Sequence, residues 1–569
     1  MNRKRLRNKH LLQLLTTVTA VVIAGIISGS AFFRIDLTSE KRYTLSEPTK
    51  ELLRSLDEII LVRVYLDGDL PTAFIQFRQS IRELLNEFRA YGGDRIQYDF
   101  INLYDVKDPE VRQRMINELY SKGLNVTNVM IRDKEGGKTD KIIFPGAVMS
   151  YSGYEIAVNL LKNNPAVSHE VNLNNSVQTL EYEFIRAMQS LTVTEIPMIA
   201  FIEGHGELDS LQTHSIMNEL RNFFQVDRGY INGNLEALLD YKAIIIAQPT
   251  RPFNERDKFA IDQYMMRGGK VLFFLDPVIS SADSLQTGMT FALANPVGIE
   301  DLLFRYGVRV EYNLAVDMQC NLVPVNVAPA GEQAQFRMMP WIYLPLLSGP
   351  QNHPVSKGLN YVKSEFASVL DTLANVPHGV KKTALLVTSP NSNRMNVPLQ
   401  IRMEEITKEP NPAFFSKSHQ PVGLLLEGSF PSFYKNYPVP KGVYPPDVDI
   451  ISGSEPAALF VSGDGDIIRN EVGYSGGRFV AEPLGYDKYS RQIFGNREFI
   501  LNLVNYMTDN TGIMELRARE FKLRLLNQEI LSDTGKRIFW VLLNTVLPLI
   551  ILVISGIGYN YYRKKKYAR

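Results

Sequence analysis

Two apolar runs, one near each end, constrain this chain more than any other feature. Leu11 to Phe33 reads LLQLLTTVTAVVIAGIISGSAFF and Ile538 to Gly558 reads IFWVLLNTVLPLIILVISGIG, and neither contains a charge. A helix of ~20 apolar residues crosses a hydrocarbon layer of ~30 Å, so each run predicts a transmembrane helix. Each is flanked by a basic tail: Arg3, Lys4, Arg5, Arg7 and Lys9 in residues 1–10, and Arg563, Lys564, Lys565, Lys566 and Arg569 in residues 559–569. Positive charge favours the cytoplasmic side. Both tails are therefore expected in the cytoplasm, with residues 34–537 on the far side. The competing reading of the first run is a cleaved signal peptide, but the run exceeds the usual ~7–15 residues and no A-x-A site follows it. Trp540 and the trio Tyr559, Tyr561 and Tyr562 suit the two interfaces of the second run.

Between the runs lies more chain than one core can hold, since 569 residues predict two or three domains. The net charge is +1 although the tails alone hold ten cations, so the body is acidic. That argues against nucleic acid, whose phosphates need a positive surface. Cys320 is the single cysteine, so no intrachain disulfide forms. A large extracytoplasmic body without disulfides fits a bacterial periplasm. Cys320 itself reads as a small buried apolar residue, not a nucleophile.

After a polar, aromatic-punctuated strip from Arg34, Ser46 suits a helix N-cap with Pro48 in the first turn, ahead of a helix over Thr49–Leu56. Strands are predicted at Ile59–Leu66 and Ile96–Leu103. A strand pair is predicted at Val126–Arg132 and Lys141–Ser150. Helices are predicted at 72–91, 108–122 and 176–191. The order β-α-β-α-β-β-α is that of a thioredoxin-like domain. The turn after the first strand, Asp67-Gly-Asp-Leu-Pro71, holds no cysteine, which excludes redox chemistry.

From Pro197 the pattern changes to buried strands alternating with helices. The strands are expected at Met198–Ile202, Ala243–Ala247 and Lys270–Leu275, with helices over 210–223 and 254–267. This predicts a doubly wound α/β sheet with helices on both faces. A further helix is expected over 297–306. Residues 310–495 read as completion of this unit plus insertions, with strands at Thr383–Thr388, Val422–Leu426 and Ala457–Ser462. Helices are expected at Asn496–Asp509 and Glu515–Gln528.

Several motifs invite a chemical reading. Gly473-Tyr-Ser-Gly-Gly477 fits G-x-S-x-G, but a nucleophile elbow needs a strand before the serine and a helix after it. Here an extended stretch and Pro483 follow, so a glycine turn is expected. Gly136-Gly-Lys-Thr139 lacks the leading glycine of a phosphate loop, because position 132 is Arg132. Asp464-Gly-Asp466 is a turn or a fragment of a calcium loop. Trp341 and Tyr343 read as packing or interface residues. Glu203-Gly-His-Gly-Glu207 follows a buried strand, where a doubly wound sheet places ligands. Glu203, His205 and Glu207 are the candidate ligand or partner contacts. A structural turn is the alternative.

Together these segments resemble the gliding-motility ABC-transporter accessory family called GldG, found in Bacteroidetes-type bacteria. The matching residues are Asp36-Leu-Thr, Lys41-Arg-Tyr-Thr-Leu-Ser46, Glu203-Gly-His-Gly-Glu207, His353-Pro354, Gly428-Ser-Phe430 and Asp464-Gly-Asp466. The resemblance covers essentially the whole chain and is most specific just after the first apolar run. It implies a role beside a separate ATPase and a multi-span permease, in an apparatus tied to gliding and secretion. It also implies a central unit similar to class I glutamine-amidotransferase-like domains without catalysis, a flavodoxin-like arrangement. Cys320 lies in Asp317-Met-Gln-Cys-Asn321, which is not a strand-to-helix elbow. No catalytic residue, cofactor or metal is therefore expected.

The expected organisation is a cytoplasmic tail over 1–10, a transmembrane helix over 11–33, and a thioredoxin-like periplasmic domain over 34–195. An amidotransferase-like domain with insertions follows over 196–510. A juxtamembrane helix over 511–537, a transmembrane helix over 538–558 and a cytoplasmic tail over 559–569 complete it. The expected function is a non-enzymatic inner-membrane subunit of an ABC-type complex. It would couple ATPase and permease partners, across the lipid bilayer, to an envelope protein. The alternative is a periplasmic glycan or peptide receptor using the 203–207 cleft.

Overall fold

The computed structural model describes residues 12–22, 44–132, 138–162, 164, 167–193, 195–280, 288–328, 332–373, 379–518 and 534–567. The protein is mixed α/β and divides into two compact units, the first ending at Arg519 and the second carrying the C-terminal helix.

In the first unit, Ser46 caps the helix Glu47–Arg54 by accepting from the Thr49 amide, and a proline occupies the first turn, as its sequence predicts. A four-stranded sheet follows in the order Ile96–Phe100, Ile60–Val64, Gly146–Tyr151, Tyr154–Asn159. The first pair is parallel and the rest antiparallel. The helix Thr72–Gly92 presents Phe77, Ile81, Leu85 and Phe88 at three- and four-residue spacing, a single apolar stripe that covers Ile60, Val62 and Val64. The helix His169–Thr192 adds Leu180, Phe184, Ile185 and Met188 to the same core. The strand pair expected over 126–150 is instead two successive hairpins. Thr127–Arg132 pairs with Lys138–Ile143 as a separate ribbon, and Gly146–Tyr151 pairs with Tyr154–Asn159 in the sheet.

The second sheet has seven strands in the order Lys381–Val387, Pro421–Gly428, Ala457–Ser462, Lys270–Phe274, Ala243–Ala247, Met198–Glu203, Gln225–Tyr230. The last five are parallel, and Pro421–Gly428 runs antiparallel to its neighbours. Alternation along the strands sorts the side chains into two layers. Ile199, Phe201, Ile245 and Phe460 face the helices His214–Leu220 and Asn496–Thr508. Ala200, Ile244, Ile246 and Phe273 face the helices Glu255–Met266 and Glu300–Tyr306. A sheet covered on both faces explains why Ala243–Ala247 is buried at every position. The helix expected over 210–223 shortens to His214–Leu220, which frees the chain to form the edge strand Gln225–Tyr230.

Residues inserted between these strands build a β-rich subdomain with its own core, including Leu314, Val316, Val325, Trp341, Tyr343 and Phe366. Trp341 and Tyr343 therefore pack. The Gly473–Gly477 motif is a hairpin tip between Val472–Ser475 and Arg478–Ala481, with Gly476 and Gly477 at φ 60° and 81°. No helix follows Ser475, so the serine has no elbow.

At the ends, the helix Thr534–Tyr567 includes a stretch, Arg537–Lys566, whose 18-residue apolar window has mean hydropathy 2.5. It is the one helix among the described residues long and apolar enough to cross a membrane. Of the first expected span, Leu12–Val22 is a shorter apolar helix, and the remainder of 11–33 lies outside the described residues. The charged helix expected over 515–528 begins as a 3-10 turn, Ile513–Ala518, and its other residues past 518 also lie outside.

Candidate functional site

The chain order of the seven-stranded sheet reverses around Met198–Glu203. The chain goes first to the neighbour Gln225–Tyr230 and then to the opposite neighbour Ala243–Ala247. Such a reversal opens a crevice at the carboxyl ends of parallel strands. Glu203-Gly-His-Gly-Glu207 leaves the sheet at this point, beside the loop that begins at Gln248.

Gly204 and Gly206 have φ of 124° and 75°, and a Cβ on Gly206 would collide with the Thr250 hydroxyl. The tight loop turns His205 inward, where it is 4% exposed. Its Nδ1 lies 3.1 Å from Glu207 Oε1 and its Nε2 lies 3.1 Å from Asp257 Oδ2. The ring stacks on Phe253 with centroids 3.8 Å apart. Burial alone would push the imidazole pKa down, but the hydrogen bonds and charges of Asp257 and Glu207 prevail and hold it at about 9. His205 is therefore an imidazolium clamped between two carboxylates at neutral pH. Both ring nitrogens are engaged, which leaves neither a base nor a metal ligand.

Asp257 sits in the first turn of the helix Glu255–Met266. Its oxygens also accept from the Gly233 amide at 2.6 Å and from Asn254 Nδ2 at 2.7 Å. His205 thus ties three loops together. Its carbonyl accepts from the Thr250 and Arg251 amides at 2.9 and 2.8 Å. Glu207 is buried with it, whereas Glu203 is partly exposed and pairs with Arg228 Nε at 2.5 Å. Sequence reasoning found the loop but not its partners Asp257 and Arg228, because an acid in a helix's first turn reads as ordinary end chemistry.

Farther along the same edge is a group of carboxylates that sequence reasoning did not assemble. Asp276 follows one strand and Asp464 and Asp466 follow its neighbour. Gln248, at φ 55°, donates to Asp276 Oδ2 at 2.6 Å and to Asp466 Oδ1 at 2.9 Å. Gly465 N donates to Asp276 Oδ1 at 2.6 Å, and Glu365 N donates to Asp464 Oδ2 at 2.9 Å. Arg469 Nε lies 2.9 Å from Asp466, and Lys363 Nζ lies 3.0 Å from Glu365. Burial and mutual repulsion push Asp276 and Asp464 upward, and burial raises Asp466 to about 8 against the pull of Arg469. The group therefore binds protons more tightly than ordinary carboxylates do. Beside it is a polar cavity of about 20 Å³, room for a water molecule, lined by Lys363, Glu365, Asp466, Arg469, Glu471 and Asn496. Among the described residues, no group of three or more histidines, cysteines and acids is arranged to hold a metal. Cys320 is half-buried, and burial pushes its thiol up to about 12, away from nucleophile chemistry.

Comparison with known proteins gives these features a family. Residues 39–150 match a domain of unknown function, DUF7088. An uncharacterized protein of Borreliella burgdorferi is 22% identical over 442 residues, covering 76% of this chain and 80% of that protein. A solved structure titled mmIFT52 N-terminal domain aligns with 55% of this chain and 98% of its own at 14% identity. Its TM-score of 0.31 is too low to carry an argument. Residues 197–503, which hold the seven-stranded sheet and its insertions, match the family described as ABC-type uncharacterized transport system. That match spans more than half of the protein, and the chain belongs to this ABC-type transport system family as an accessory protein.

Proposed function

We propose that this chain is a non-enzymatic, membrane-anchored subunit that works beside separate ATPase and permease subunits of an ABC-type complex. In this reading its periplasmic body passes movement to an envelope partner. The four-stranded unit is thioredoxin-like in strand order, and the seven-stranded unit is an amidotransferase- or flavodoxin-like sheet without the cysteine elbow. The resemblance to the GldG family extends the reading to gliding or secretion and to two spans with both tails cytoplasmic.

One observation carries the mechanical part: both ends of the body grip the same turn of the helix His169–Thr192. At the leading end, Ser46 N and Thr49 Oγ1 donate to Glu181 Oε1 at 2.8 and 2.7 Å. At the trailing end, Tyr182 OH donates to Met514 Sδ at 3.0 Å, and the Arg517 guanidinium lies 5.2 Å from the Tyr182 ring. Leu45 and Leu53 share a core with Ile513, Met514 and Leu516. On the same helix, Arg186 stacks on Phe223 at 3.7 Å, reaching the layer beneath the seven-stranded sheet. A pull on either end therefore reaches one helix that also touches the large domain. At the carboxyl edge, His205 and Glu207 hold the fold, which leaves the exposed Tyr230 and the partly exposed Glu203, paired with Arg228, for a partner.

The test is purification of the full chain from its native membrane in mild detergent. An ABC ATPase and a multi-span membrane protein should copurify in fixed ratio. Their absence at several detergent strengths would sink the proposal. A Glu181→Gln, Tyr182→Phe double variant should keep both partners and lose transport.

A further inference from the structure

We propose that the outer edge of Gln225–Tyr230 takes up an extended segment of another polypeptide as an added strand, one with a cation opposite Asp227 and an aromatic side chain opposite Gly229. Gln225–Tyr230 ends the seven-stranded sheet and pairs only with Met198–Glu203. The Gln225 amide donates to the Pro197 carbonyl at 3.0 Å, which sets the phase of the ladder. In a parallel pair, alternate residues turn both N–H and C=O toward one neighbour, so Gln225, Asp227 and Gly229 bond inward. Val226, Arg228 and Tyr230 turn theirs outward, and among the described residues no partner meets those main-chain groups.

The opposite edge of the same sheet is guarded. Lys381–Val387 carries Lys381 and Lys382 and shifts register twice between Ala384 and Val387. Its end is covered where Ser348 and Val387 exchange main-chain hydrogen bonds at 3.0 and 2.8 Å. Lysines and bulges keep a sheet edge from pairing. Gln225–Tyr230 has neither. Its register is regular throughout, and its cation Arg228 folds over the sheet face to Glu203 Oε1, Thr213 Oγ1 and the Leu208 carbonyl.

The side chains of the edge select what fits. A Cβ on Gly229 would meet no atom within 4 Å, so an aromatic ring on an incoming strand has room there. Asp227, two positions earlier on the same face, is bonded to the Tyr241 hydroxyl and to Gln225 Nε2, both at 3.3 Å. Among the described residues no cation pairs with it, and a lysine or arginine opposite would form a favourable cross-strand pair. A second copy fits poorly. Pairing about a two-fold axis normal to the sheet sets odd positions against odd and even against even. The two central registers then place Asp227 against Asp227 or Arg228 against Arg228, and like charges directly opposite are unfavourable. Any other register overlaps half of the strand or less. An open edge can be filled whether or not the chain works beside a transporter, so this contact is independent of the function proposed above.

The experiment places a photo-crosslinking benzoylphenylalanine at Tyr230, exposed at the end of the open edge, and separately at Lys381, exposed on the guarded edge. The full-length chain is irradiated in its native membrane, and adducts are identified by mass spectrometry. The expected result is an adduct with a different polypeptide from position 230 and not from 381, mapping to a segment in which a lysine or arginine stands two residues from an aromatic. Val226→Pro removes an outward donor without touching the ladder and should lower the yield about two- to tenfold, the worth of one hydrogen bond. Gly229→Lys fills the open space, sets a cation against the incoming one and should lower the yield as much. It serves alone should Val226→Pro melt below wild type. No adduct from 230, equal yields from both edges, or a mapped segment without that pair of residues would overturn the proposal. So would an adduct only with a second copy or with another segment of this chain, or a yield indifferent to the substitutions.

Discussion

The clamp on His205 makes a pH prediction with a definite sign. In the unfolded chain a histidine loses its proton near 6.5, whereas the folded protein holds it to about 9. Between those values only the folded state keeps the proton. The contribution is therefore complete below pH ~6.5 and disappears as pH rises through ~9. That difference is worth about 3 kcal/mol, at 1.36 kcal/mol per pKa unit. The assay is urea unfolding of the full chain in detergent from pH 6 to pH 10, comparing wild type with His205→Gln. Amide exchange at Thr250 and Arg251, both bonded to the His205 carbonyl, adds a local readout. The variant should be less stable than wild type at pH 6, and the gap should shrink by about 3 kcal/mol by pH 10. The Asp276–Asp464–Asp466 group also loses stability with rising pH, but mainly between ~4 and ~8, and it is common to both proteins. A gap that stays constant or widens toward pH 10 refutes the charged clamp.

Three further outcomes are expected. Asp466→Asn removes one member of the crowded carboxylates, so thermal stability should vary less than wild type between pH 4 and pH 8; an unchanged slope would show that the proton resides elsewhere. Gly206→Ala should cost at least ~2 kcal/mol, combining left-handed backbone with a collision at Thr250. Gly153→Ala, at φ 85° in open space, should cost only about 1 kcal/mol, and equal melting shifts would remove the steric argument. Ser46→Ala should cost about 1 kcal/mol through loss of the cap, read as earlier exchange of the Thr49 amide.

Where one force dominated locally, the sequence was a good guide. Ala243–Ala247 and Ala457–Ser462 are read correctly to the residue because a strand covered on both faces must be apolar throughout. The helix Glu255–Met266 announces itself through Asn254 and the glycines after Arg267. The edge strands were illegible for the opposite reason. Gln225–Tyr230 and Tyr154–Asn159 are only partly buried, so no strong apolar alternation marks them, and pairing along one side, to Met198–Glu203 and to Gly146–Tyr151, decides their conformation. The candidate site divides in the same way. The glycines flanking His205 show in the sequence that a tight loop is present. The clamp itself depends on Asp257, 52 positions away, which no local pattern exposes. The carboxylate group is harder still, since Asp276 and Asp466 meet only because two strands separated by a long insertion are neighbours in the sheet.

The meeting of Leu45–Arg54 and Ile513–Ala518 on one helix has a further meaning for ancestry and engineering. Because its ends close on each other, the body behaves as a cassette inserted at a single point of a membrane-associated chain. Its size can change without altering the distance between the segments that enter and leave it, and insertions such as the β-rich subdomain lengthen the loop and not the gap. Such a cassette is transferable: grafted between two anchors of another protein, it should fold unaided and leave their spacing to the graft's own narrow neck.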